Sequence, residues 1–202
     1  MLKKARVAVL VSGGGTNLQA IINAAGRGEL PSAELALVIA SNDTAYALKR
    51  AEKAGIPAAV VSKKLAGSQQ VFEERMLEKL REYRIDLIVL AGFMNILSAD
   101  FVSRYPRRIL NVHPSLIPAF CGEGYFGLRV HEAALAKGVK VTGATVHFVN
   151  EIPDGGEIIF QKAVAIREDD TPETLQKRVM RLAEWKLLPA AVEKVSKEII
   201  SE

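Results

Sequence analysis

Short apolar runs, rich in leucine and β-branched residues, alternate with longer amphipathic stretches along most of this chain. Arg6–Val11, Leu35–Ala40, Ala58–Val61, Leu87–Leu90 and Ile109–Val112 are the runs. A run that is apolar at nearly every position has no side left for solvent, so it fits a strand covered on both faces, as in a parallel sheet. Between the runs lie helical patterns. Phe72, Met76, Leu80 and Tyr83 recur at spacings of four, four and three among Glu, Arg and Lys, which makes one core-facing stripe. Strand and helix in repeated alternation predict a doubly wound, mostly parallel α/β sheet. After residue 140 the pattern changes. Val141–Val149 alternates, and Glu157–Ile166 follows the turn-like Pro153-Asp154-Gly155-Gly156, which predicts strands at the sheet edge with an antiparallel option. Asp170-Thr171-Pro172-Glu173 opens a C-terminal helix with Thr171 as N-cap, and Pro189 is expected to end or kink it.

The chain has 202 residues, which suits one domain with a sizeable core. Lys and Arg number 27 against 23 acids, a net charge of +4. No block of like charge and no basic stripe interleaved with aromatics accompanies that excess, so nucleic acid is not an expected partner; small anions are. No apolar stretch approaches the roughly 18 residues needed to span a bilayer, and the apolar run near the start is too short for a signal peptide. One cysteine excludes an internal disulfide. The three histidines, His113, His131 and His147, have no metal-ligand spacing, so no metal is expected. The expected location is cytoplasmic.

The first strand stops on Ser12-Gly13-Gly14-Gly15 and restarts as Thr16-Asn17-Leu18. The first strand-to-helix turn of such a sheet is where helix N–H groups converge on an anion. A Walker loop would need a lysine before the Ser or Thr, which is lacking. A dinucleotide fingerprint would need a third glycine where Leu18 stands, and an acid about 20 residues on. One or two glycines would satisfy a tight turn. Three followed by Thr-Asn favour a site for a phosphate monoester, with the hydroxyl and carboxamide as added donors.

A second constellation follows the strand at Ile109. Asn111 and His113, two apart in an extended segment, project from one face at the carboxyl end of the strand. Pro114 and Pro118 restrict the loop that carries them on. Farther along, Asp154 sits before two glycines, a pattern that a plain Asp-Gly hairpin turn would also give.

The segments SGGGTNLQAII, LAGFMNILS, NVHPSLIP and VHFV followed by DGG resemble the folate-dependent formyltransferases, collinearly from about Arg6 to Pro189. The glycine loop is similar to that of the phosphoribosylglycinamide branch. The resemblance implies a Rossmann-like formyltransferase fold with a phosphate-binding half at about 1–105 and a catalytic, folate-binding half at about 106–202. It implies formyl transfer from 10-formyltetrahydrofolate, a co-substrate, to the amine of glycinamide ribonucleotide in purine synthesis. By the same resemblance Gly15, Thr16 and Asn17 hold the 5′-phosphate and Glu184 contacts the ribonucleotide. Asn111, His113 and Asp154 match the catalytic residues. Met94, Asn95, Ile96 and Leu97, with Asn150, Glu151, Ile152, Pro153 and Asp154, match the segments beside the folate pteridine. Partners are then small molecules only, for a monomer or homodimer. On this reading the Asp154 carboxylate raises the His113 pKa and favours an imidazolium.

Three features depart from the family pattern. Asn95 and Gln69 stand where arginines are common, which removes charge from the folate side. The stretch Phe120–His131 is about five residues longer than the short form, and Gly122, Gly124 and Gly127 within it predict a mobile flap or an ordinary surface turn. Two other functions fit the residues less completely: another folate-using enzyme, either a hydrolase or a formyltransferase on a different amine, and a non-enzymatic nucleotide-binding module. A covalent mechanism through Cys121 is weaker still.

Overall fold

The computed structural model describes residues 3–202. Seven strands form one sheet: β1 (Ala5–Val11), β2 (Ala33–Ala40), β3 (Ala58–Val60), β4 (Leu87–Leu90), β5 (Ile109–His113), β6 (Val141–Phe148) and β7 (Ile158–Ala165). Their order is β3-β2-β1-β4-β5-β6-β7. The first five are parallel, and β6 and β7 are antiparallel to their neighbours. The chain winds outward from β1 through β2 to β3, then returns to the other side of β1 with β4. Ligands of open α/β sheets bind beside such a reversal, at the carboxyl ends of the strands.

The helices are α1 (Thr16–Gly26), α2 (Ala47–Lys53), α3 (Lys63–Ala66), α4 (Gln69–Glu82), α5 (Ala99–Ser103), α6 (Leu128–Lys137), α7 (Pro172–Val179) and α8 (Trp185–Ser201). They cover both faces. Val7, Val9 and Val11 of β1 face one cluster with Leu18 and Ile21 of α1 and Val192, Val195 and Ile199 of α8. Ala8 and Leu10 face the other, with Phe72, Met76 and Leu80 of α4 and Phe101 of α5. The strand period of two thus feeds two cores. Truncating a wholly buried aromatic such as Phe72 to alanine would cost about 3–5 kcal/mol.

Local chemistry sets the helix starts. Ser68 and Ser98 accept from the N–H groups of Val71 and Phe101, and Thr171 forms a reciprocal capping box with Thr174, with Pro172 following. Of the two outcomes expected at Pro189, an end or a kink, the end does not occur: Pro189 lies inside α8. The irregularity sits upstream, where Met180–Glu184 form a π-helical turn and the Trp185 N–H reaches back to the Met180 carbonyl. Pro189 removes one backbone donor but is buried within the helix, where packing on the sheet outweighs that loss.

Candidate active site

Asn111 and His113 occupy the end of β5, and β6 runs antiparallel beside them with Asn111 opposite His147 and His113 opposite Thr145. Asp154 arrives from the β6–β7 connection. That connection leaves the sheet level with Ile109, whose carbonyl accepts from the Val149 N–H at 2.9 Å, and then turns back. The two glycines after Asp154 make the return possible. A side chain on Gly156 would stand 1.7 Å from the Phe148 carbonyl oxygen, and one on Gly155 would press on Ile152.

The result is a compact polar cluster. His113 Nδ1 lies 3.3 Å from Asp154 Oδ2, and Asn111 Nδ2 donates to Asp154 Oδ1 at 3.4 Å. His147, buried, sits 3.3 Å from Asn111 Nδ2 and 3.5 Å from Asp154 Oδ1 through Nε2; its Nδ1 donates to the Phe148 carbonyl at 2.8 Å. The far side of the His113 ring is fixed as well, since Nε2 donates to the Phe120 carbonyl at 2.8 Å. That bond leaves Nδ1 as the atom shared with Asp154. The Gly122 N–H donates to Asp154 Oδ2 at 2.9 Å. Phe120 and Asp154 both have positive φ, 50° and 55°. Such backbone costs on the order of 1–3 kcal/mol per residue and collects at sites where geometry matters more than stability.

The electrostatics correct one expectation. Burial pushes the His113 pKa down, and the Asp154 charge and the Phe120 carbonyl push it back up without cancelling the shift. His113 therefore holds a proton less readily than a free imidazole, because the ring is almost wholly enclosed and loses more hydration than one carboxylate restores. Burial also raises Asp154, but the contact with His147, the bond from the Gly122 N–H and the pull of His113 in its protonated form outweigh it and hold the carboxyl below its ordinary range. The setting of Cys121 disfavours a thiolate. Burial and the Asp154 charge both raise its pKa, and its Sγ donates to the Pro118 carbonyl at 3.2 Å.

The glycine loop lies at the carboxyl end of β1, beside the reversal of strand order. Gly15 is the N-cap of α1 with φ 69°, and no side chain caps this end. A Cβ on Gly15 would meet Ala47 Cβ at 2.7 Å, whereas one on Gly13 or Gly14 would meet nothing within 4 Å. The fold itself requires only Gly15. The N–H groups of Gly14, Gly15, Thr16, Asn17 and Leu18 have no acceptor among the described residues; Gln19 is the first to bond back, to Gly15. A row of free N–H groups on a turn and helix start attracts an anion. The Asn17 carboxamide is not part of that row. It is buried and donates to Glu184 Oε2 at 2.7 Å, so Asn17 offers the loop its backbone and not its side chain. Burial lifts the Glu184 carboxyl to about 7 against the pull of the Asn17 bond.

The segment after β4 is tied to the same region: the Met94 N–H donates to Ser12 Oγ at 2.9 Å, at the end of β1. Gln69 does not face outward. Its Nε2 donates to the Ile96 carbonyl at 3.0 Å and to Glu73, which also accepts from Ser98. Met94 and Ile96 are exposed, Asn95 and Leu97 half-buried, and Phe93, Leu97 and Val149 pack on one cluster. Across from them Ile152 is exposed, and Asn150 braces its loop by accepting from the Ile152 N–H and donating to the Gly155 carbonyl; Glu151 and Pro153 lie on the same turn.

A model of the formyl transferase family matches residues 5–192. The chain belongs to that family. As a formyl transferase it is 47% identical over 194 residues to the human trifunctional purine biosynthetic protein adenosine-3, covering 96% of this chain and 18% of that protein. It thus spans under a fifth of the trifunctional relative. It is also 41% identical over 187 residues to phosphoribosylglycinamide formyltransferase of Haemophilus influenzae, covering 93% of this chain and 85% of that one. Among solved structures, glycinamide ribonucleotide transformylase 1 from Symbiobacterium toebii superposes with a TM-score of 0.90 at 39% identity, over 96% of this chain and 89% of the other. The formyl transferase fold expected from the sequence is present. Three parts of the polar cluster were not among the expected residues: His147, the Phe120 carbonyl and the Gly122 N–H. His147 had one signal in the sequence, its position two after Thr145 in an alternating run, but only the antiparallel register puts it against Asn111.

Proposed function

We propose that this formyl transferase moves the formyl group of 10-formyltetrahydrofolate onto the amine of 5′-phosphoribosylglycinamide, a step of purine nucleotide synthesis. The observation that carries the reading is the pairing of one free N–H row after β1 with one Asn-His-Asp cluster after β5, both at the reversal end of one sheet. The first suits the phosphate of the acceptor and the second suits acyl transfer. Gly15, Thr16 and Asn17 would take the phosphate through their N–H groups, and Glu184 the sugar.

The donor supplies the formyl group. Exposed Met94, Ile96 and Ile152 fit a flat, partly apolar ring, and the backbone around Asn95 and Leu97 and along Asn150–Asp154 offers polar edges. The chain's own residues then divide the work. Asn111 donates an N–H to the oxygen on which negative charge develops; one such donor is worth about 10²–10³ in rate. Neutral His113 takes the proton of the attacking amine at Nδ1, where its lone pair faces a carboxylate and gains most from protonation. Asp154 stabilises the imidazolium that results, and His113 returns the proton to the departing nitrogen. With one cysteine, held as a thiol, the reading also places the enzyme in the cytoplasm.

A hydrolase would use the same cluster with water and would have no need of a phosphate. Purified protein with both substrates decides between them. Formylated ribonucleotide should appear at the rate at which donor is consumed; consumption of donor with free formate as product would replace this reading by the hydrolase.

A further inference from the structure

Two consecutive carbonyls of the glycine loop are tied to α2. The Ala47 N–H donates to the Gly13 carbonyl at 3.1 Å, and Arg50 Nε donates to the Gly14 carbonyl at 2.8 Å. Arg50 also donates through Nη1 to Gln19 Oε1 at 2.9 Å, one turn into α1. Its guanidinium stacks over Tyr46, 5.1 Å from the ring centre. The side chain is therefore fixed at three points on the sides of the loop.

In a trans peptide the C=O and the following N–H point in opposite directions. The one cis bond among the described residues is Ile117–Pro118, far along the chain. Holding the Gly13 and Gly14 carbonyls against α2 therefore turns the N–H groups of Gly14 and Gly15 away from it. A Cβ on Gly14 would meet nothing within 4 Å, so apart from the Arg50 bond no packing at that position resists a flip of the peptide. A flip would replace a donor with a carbonyl that repels phosphate.

We propose that Arg50 is a positioning residue for the phosphate of the acceptor substrate: it locks the Gly14–Gly15 peptide with its N–H toward the anion. The inference rests on the phosphate reading of the loop given above. It assigns Arg50 an effect on ribonucleotide affinity and none on the formyl-transfer step.

The test crosses one protein change with one ligand change. Wild type, Arg50→Met and Arg50→Lys are compared for binding of glycinamide ribonucleotide and of its dephosphorylated nucleoside, together with KM for both substrates and kcat. Wild type should prefer the phosphorylated form strongly. In Arg50→Met that preference should fall about tenfold or more, with kcat and the folate KM unchanged, and Arg50→Lys, which can still reach the Gly14 carbonyl, should restore most of it. An unchanged preference in Arg50→Met would overturn the role of Arg50 while leaving the phosphate loop standing. Equal affinity of wild type for the two ligands would overturn the loop reading and this inference with it. A uniform loss of kcat and of both substrates would mark Arg50 as merely structural.

Discussion

Asn17, in the first turn of α1, donates its carboxamide to Glu184 of the π-helical turn at 2.7 Å, joining residues 167 positions apart inside the protein. The contact brings the start of the chain and its C-terminal helices to one place beside the free N–H row. It also leaves a cost. Asn17 Oδ1 is buried without a partner, and the Glu184 carboxyl is held at about 7 by burial. A buried carboxyl kept this far from its usual range is a candidate for a functional position.

Glu184→Gln keeps an acceptor for Asn17 and removes the ionisation. The folded pKa lies above the ordinary 4.5, so the stability this group contributes is complete below pH 4.5 and is lost as pH rises through about 7. His131 runs the other way. It is fully enclosed with neither ring nitrogen bonded, and burial, aided by repulsion from His113 when that ring is protonated, lowers it from 6.5 to about 4. Its contribution is complete above pH 6.5 and is lost as pH falls toward 4. The two slopes oppose each other between about pH 4.5 and 6.5. Urea unfolding should show Glu184→Gln more stable than wild type at pH 8, and His131→Leu more stable at pH 5, each by on the order of 2 kcal/mol. Curves parallel to wild type in both variants would remove these groups from the account. Glu184→Gln should in addition raise the ribonucleotide KM.

The glycines of the loop should separate fold from ligand. Gly15→Ala puts a side chain at positive φ, 2.7 Å from Ala47 Cβ, and should cost about 2 kcal/mol or more of stability. Gly14→Ala meets nothing and should fold normally, yet raise the ribonucleotide KM because a phosphate approaches that backbone. Thermal unfolding and steady-state kinetics check both. A Gly14→Ala enzyme with wild-type KM would show that the loop is open for some other reason.

The segment Cys121–Leu128 touches the Asn111-His113-Asp154 cluster through its backbone. Gly122 bonds Asp154, and Gly122, Gly124 and Gly127 all have positive φ, at 86°, 86° and 55°. Tyr125 and Phe126 in it are exposed. Few apolar contacts hold such a segment, so it should exchange amide hydrogens quickly alone and slow on binding both substrates. Equal protection across residues 121–128 with and without ligand would remove the flap.

Much of this was legible in the residues because local and global signals agree. All seven strands fall within two residues of their apolar runs, the buried β1, β2 and β4 and the largely exposed edge strands β3 and β7 alike. Thr171-Pro172 marked its helix for the same reason: cap and proline chemistry is local. That Pro189 does not end its helix was not legible, because that consequence depends on packing, which carries α8 through it. The lowering of the His113 pKa by burial was not legible, although Asp154 does pull it upward as expected, because an Asn-x-His spacing reports which face a side chain takes and not how much water it loses. His147 and Arg50 were invisible for a further reason: each acts across a register or a helix contact that no spacing encodes.

Asp154 carries the central claim, since a turn and a catalyst make opposite predictions for one substitution. Asp154→Asn preserves shape, suits the turn and removes the charge facing His113 Nδ1 at 3.3 Å. Formyl transfer should fall by a factor on the order of a hundred or more while ribonucleotide affinity stays nearly constant, because the lost interaction matters mainly once His113 is charged. The His113 pKa, lowered already by burial, should drop further when the opposing carboxylate is gone. Steady-state kinetics on Asp154→Asn, with histidine NMR titration of both proteins, is the most direct measurement. Slow transfer with a lowered His113 pKa is the predicted result; wild-type turnover in Asp154→Asn would contradict the account.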